Sequence, residues 1–193
     1  MKWLYENWFK STIFLAIYVL IFLFLFLFQT NFSLFLIWLQ FVIYLVHQFE
    51  EYVLPGGFLE FLNKELLGSA ESDFPADKKF SFWINIPIIF VGYPVSAILS
   101  GYIDLSIGIW TAYFSIINAM SHVGMFLKHK YNPGFFISLF LNIPVGIYTI
   151  YYFVSQNLIS LNSHIIGLII GLLVQGFVMM LGFKVLKPTI KDN

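Results

Sequence analysis

The segment HQFEEYVLPGGF, residues 47–58, sets a histidine three and four residues ahead of two adjacent glutamates, just before a proline and two glycines. At 3.6 residues per turn, Glu50 and Glu51 flank the direction of His47, one turn below it. Imidazole and carboxylate on one helix face are ligands for a divalent zinc, manganese or iron ion. They are equally the parts of a general acid–base pair. The order is not the H-E-x-x-H of zinc proteases, and residue types alone do not separate the two chemistries. The plainer alternative is that Glu50 and Glu51 only mark a helix end in contact with water.

A second polar group shifts that balance. INAMSHVGMF places Asn118 and His122 at i and i+4, on one face of another helix. If both helices run inward, His47 and His122 lie about seven and five residues from their cytoplasmic ends. At 1.5 Å per residue their depths then differ by about 3 Å. The expected site is therefore His47, Glu50, Glu51 and His122, acting as metal ligands or as acid and base. Asn85 and Asn118 fall in the same layer and are expected to orient a ligand or a water. The YNPG turn (Tyr131, Asn132, Pro133, Gly134) is expected to shape the mouth of the site. His129, between two lysines, is expected to face water or headgroups, and His164 to sit on the outer side. Gln40, Tyr44 and Tyr93 are read as interhelical hydrogen-bonding residues, with lining of the space above this layer as the alternative.

The elements that must position these residues follow from composition. Of 193 residues, 60% are hydrophobic, 24 are Phe, and the formal charge is zero. The mean hydropathy is +0.85. These values lie outside the range of soluble domains and exclude a nucleic-acid partner; the implied partner is the lipid bilayer. No cysteine is present, so disulfides and thiol chemistry are excluded, and a metal would take His, carboxylate or amide ligands. Ten lysines without arginine suggest an AT-rich bacterial genome and a multi-pass protein of its plasma membrane.

The fold class expected is all-α: a polytopic membrane helix bundle forming one domain. Its spans fall at about 11–28, 32–54, 81–103, 105–127, 132–154 and 163–185, each near the 20 residues needed to cross about 30 Å of hydrocarbon. The first is too long for a signal peptide and has no cleavage site after it. Pro87, Pro94 and Pro144 predict kinks. Residues 55–80 read as a loop containing a short interfacial helix with Phe58, Leu59, Phe61, Leu62 and Leu66 on one face. Its acidic tail, AESDFPAD, reads as solvated. Lys2, Lys10, Lys64, Lys78, Lys79, Lys128, Lys130, Lys184, Lys187 and Lys191 all fall at one set of helix ends. The positive-inside rule then puts both termini, the 55–80 loop and the site on the cytoplasmic side.

These residues resemble a family of bacterial integral membrane proteins named after an H-x-x-E-E motif, with a further histidine and a Y-x-P-G motif. Here His47, Glu50 and Glu51 form the first, His122 is the histidine, and Tyr131, Pro133 and Gly134 form the last. The resemblance runs from the second span through the fifth, and the extended string around His47 is specific where a bare H-x-x-E-E is weak. It implies that His47, Glu50, Glu51 and His122 belong to one set. It supplies no substrate, because the family's activity is not established.

Three function classes fit. The first is a metal-dependent hydrolase or lipid-modifying enzyme acting on a lipid or amphiphile from the cytoplasmic leaflet. The second is a small proton- or ion-coupled transporter or binding protein. The third is a non-catalytic protein whose polar layer specifies helix packing. A sparse polar path beyond Gln40 favours a one-sided site. Oligomeric state is not encoded in any of these features.

Overall fold

The computed structural model describes residues 1–190; Lys191 lies outside them. The chain is all-α, and five helices are long and apolar enough to cross a membrane: α1 (Lys2–Phe26), α2 (Phe32–Tyr52), α4 (Lys78–Tyr102), α6 (Phe135–Ser155) and α7 (Leu161–Thr189). Between α2 and α4 lies the short α3 (Phe58–Phe61), which continues as a wide π turn over Leu62–Leu67. Between α4 and α6 runs α5 (Ile109–His129), 21 residues long.

The expected fourth span is thus present as a helix, yet it is not among the five apolar ones. It carries Ser115, Asn118, Ser121 and His122, and it packs against α2, α6 and α7. A helix ringed by protein can be polar at a cost lipid would not tolerate. α2 is likewise central: 61% of its most apolar window is buried, against 22% for α1 and α7. The site residues sit on these two inner helices.

Helix boundaries follow local chemistry. Asn31 caps α2 by accepting from Leu34 N at 3.0 Å, Asp77 caps α4 by accepting from Phe80 N at 2.7 Å, and Ser160 caps α7. α1 begins well before residue 11, because Trp8 and Phe9 pack into an aromatic cluster with Tyr52 and Phe82. Pro87 falls inside a wide turn over Ile86–Gly92, Pro94 just after it, and Pro144 just after another over Ser138–Asn142. An extra residue in the turn moves the carbonyl that the proline ring would strike.

α7 carries a small-residue motif that the sequence analysis passed over, Gly167 and Gly171 at i and i+4. A Cβ on Gly167 would lie 2.7 Å from Ile109, and one on Gly171 2.9 Å from the Phe114 backbone nitrogen. This is the close helix approach that such motifs permit in apolar segments. The AESDFPAD segment is organised rather than merely solvated. Buried Asn63 donates to the carbonyls of Ser72 and Ala76 and accepts from Ala76 N.

Candidate metal centre

His47 and Glu51 stand one turn apart on α2, with His47 Nε2 3.4 Å from Glu51 Oε1. His122 comes across from α5 and places its Nε2 3.4 Å from the same oxygen. All three are buried, and their ligand atoms lie within 4.8 Å of one another. Two donors about 2.1 Å from a tetrahedral ion are about 3.4 Å apart, so both edges that meet at Glu51 Oε1 have the length a zinc-type centre requires. His47 Nε2 has no hydrogen-bond partner among the described residues.

The opposite ring nitrogens are held from outside. His122 Nδ1 is 2.7 Å from Asn132 Oδ1, while Asn132 Nδ2 donates to the His122 carbonyl at 3.0 Å. Because the amide nitrogen is committed to a carbonyl, the amide oxygen must face the ring. An oxygen acceptor there places the proton on Nδ1 and leaves the Nε2 lone pair aimed at the centre. His47 Nδ1 meets Ser138 Oγ at 3.4 Å. The backbone closes in from beneath: a Cβ on Gly134 would lie 2.8 Å from Cε1 of both His47 and His122 and 3.0 Å from Glu51 Cγ. With φ at +96°, Gly134 is required both for its conformation and for its lack of a side chain.

Glu50 is not part of this convergence, which corrects the four-residue set expected from spacing. It turns to the start of α6, where Oε1 accepts from Phe136 N at 3.0 Å and from the Tyr131 hydroxyl at 3.2 Å, and Oε2 accepts from Ile137 N at 2.7 Å. A buried carboxylate there satisfies helix N-terminal donors and meets the positive end of the helix dipole. Partial burial, with Glu50 beside it, pushes the Tyr131 hydroxyl well above its ordinary pKa and keeps it a donor. The YNPG turn therefore works from below: Tyr131 on Glu50, Asn132 on His122, Gly134 under both imidazoles, and buried Pro133 between them.

Beside the triad is a cavity of about 430 Å³ between α2, α3, α4, α5 and α7, with Glu51 and His122 on its wall. Asn85 and Asn118 also line it. Asn85 is held by Gln48, Tyr52 and Ser81, and Asn118 donates to Gln175, which donates to Ser121. Ser138, Gln48 and Gln175 were missed by sequence reasoning; as lone polar residues in apolar stretches they carried a weak signal. Gln40 and Tyr93 make the interhelical bonds expected of them, to Thr149 and to the Thr111 carbonyl. His129 pairs with Glu65 at 3.3 Å rather than facing only water or headgroups. His164 meets the Tyr113 hydroxyl at 3.0 Å.

Residues 38–149 match the family model described as a protein of unknown function with HXXEE motif. The match covers more than half of the chain, and the protein belongs to that family. No curated protein and no solved structure matches the chain.

Proposed function

We propose that this member of the HXXEE-motif family is a membrane-embedded, metal-dependent hydrolase or lipid-modifying enzyme, with a zinc, manganese or iron ion held by His47, Glu51 and His122. The observation that carries this reading is the convergence of three buried ligand atoms, two of whose separations are 3.4 Å. Three protein ligands leave a coordination position for water or substrate, as catalytic sites require. An ion there would polarise an ester carbonyl or phosphoryl oxygen and bring a bound water to a pKa of about 7.

The chain's own groups divide the remaining work. Asn132 and Ser138 set the imidazoles, and Glu51 offsets part of the ion's charge in a site that excludes bulk water. Hydrolysis of an ester would form a bond from the water oxygen to the acyl carbon and break the bond to the leaving alcohol. The water's proton would pass to that alcohol by way of Oε2 of Glu51, the carboxylate oxygen left free when Oε1 holds the ion.

The same reading has α5 completing six spans, both termini cytoplasmic and the centre in the cytoplasmic half. A transporter would need its polar path to continue outward, but the cavity's wall reaches only Tyr44, Ile89 and Phe114. Beyond it, Gln40 is committed to Thr149. Pairs such as Asn142 with Ser115 do suit a packing layer, and neither residue is one of the three converging ligands.

Elemental analysis of gently purified protein tests the proposal, with about one equivalent of Zn, Mn or Fe expected. Well-folded protein that stays metal-free after incubation with each ion would overturn it. For the orientation, Gln156→Cys should be labelled from outside intact cells and Ser72→Cys should not; the reverse pattern would place the centre on the other side.

A further inference from the structure

The cavity beside the triad is elongated. Its wall on α5 extends from Phe114 to Lys128, 14 residues apart and so about 21 Å along the axis. Its volume of about 430 Å³ lies within the range of small-ligand sites, and it follows α5 lengthwise, as an extended hydrocarbon chain would. At one end the wall is Tyr44, Ile89 and Phe114. At the other is Lys128, whose ammonium makes no ion pair among the described residues.

His122 reaches the cavity between these ends, about 12 Å from the level of Phe114 and about 9 Å from that of Lys128. Two glycines widen the bore: Gly124 on α5 and Gly182 on α7 line it, and a Cβ built on either meets nothing within 4 Å. Packing does not require a bare backbone at either place. Bare backbone at both places leaves the wall recessed along the path a chain would take.

We infer that the cavity binds an anionic phospholipid, an acyl tail toward Phe114 and the phosphate at Lys128. The ester between them would lie against His122 and Glu51. The 9 Å between those levels is the reach of a glycerol phosphate plus one ion-pair contact. The tail and phosphate assignments come from the cavity alone, whereas the role of the ester rests on the hydrolase reading.

The test is a binding titration of purified full-length protein in detergent with radiolabelled 1-decanoyl lysophosphatidic acid. 1-Decanoylglycerol, which lacks the phosphate, serves as the comparison. Saturable one-to-one binding of the phosphate lipid is expected, with the neutral lipid at least about tenfold weaker. Gly124→Leu and Gly182→Leu should each weaken it at least about tenfold by filling the bore. Gly176→Leu, at a helix position equally open but off the wall, should bind as wild type and so controls for folding.

Lys128→Ala should reduce the preference for the phosphate over the neutral lipid to about threefold or less. Equal binding of the neutral lipid, or indifference to both glycine variants, would overturn the inference. Chelator-treated wild type is titrated in parallel and should bind within about threefold of untreated protein. Metal-independent binding alongside failed metal loading would reject the hydrolase reading and leave the lipid assignment standing.

Discussion

Two regions of the bundle contain a buried histidine with an unpartnered Nε2, and they differ in what surrounds it. In one, His47 faces Glu51 Oε1 and the ring of His122, whose centroid is 4.8 Å away. In the other, His164 of α7 bonds through Nδ1 to Tyr113, and its Nε2 faces no other ligand group among the described residues. An orphaned imidazole nitrogen is therefore not by itself a site. A single His–Tyr contact joins two helices, whereas several donors directed at one point, each held from behind, form a place for an ion.

The sharpest break of this contrast is in metal content. His47→Ala and His122→Ala should each take bound metal from about one equivalent to near zero by elemental analysis, and His164→Ala should leave it unchanged. If His164→Ala also lost the metal, the distinction between the two regions would be wrong.

Glu50 and Glu51 sharpen the comparison within a single turn. Glu50→Ala strands two part-buried N–H groups of α6 and should lower stability by about 2 kcal/mol in thermal unfolding, with metal per folded molecule retained. Glu51→Gln should do the opposite, losing metal while the fold persists. Matching effects of the two variants would contradict the separate roles assigned from their partners.

Smaller effects come from the supports. Asn132→Ala removes the bond that sets the His122 ring and should weaken metal binding by about 10–100-fold in competition with a chelator. In the other region, Tyr113→Phe removes one hydrogen bond, should cost only about 1 kcal/mol, and should leave metal affinity unchanged.

The pairing of His47 with His122 was legible because both lie near the ends of helices running the same way, and depth along a helix can be counted. Choosing between Glu50 and Glu51 could not be done that way. At i+3 and i+4 the two are equivalent neighbours of His47, and the choice depends on where the first turn of α6 arrives. Gly134 and Asn132 show the same limit. YNPG announces a turn, but that its glycine lies beneath two imidazoles, one of them 87 residues earlier in the chain, depends on how α2 packs against the start of α6. That its asparagine orients an imidazole ten residues before it depends on how the chain turns back after α5.

Hydropathy and helical periodicity are local properties, and they determined an all-α membrane chain and a short roll of candidate ligands. Tertiary packing alone decided that Glu50 caps a helix while Glu51 joins the histidines, that α5 can be too polar for lipid yet sit at the centre, and that α3 closes one side of a cavity. The physical reason is that a ligand set and a cavity are defined by distances between atoms on different helices. Those distances are set by small residues such as Gly134, Gly167 and Gly171, which let backbones approach where any side chain would hold them apart.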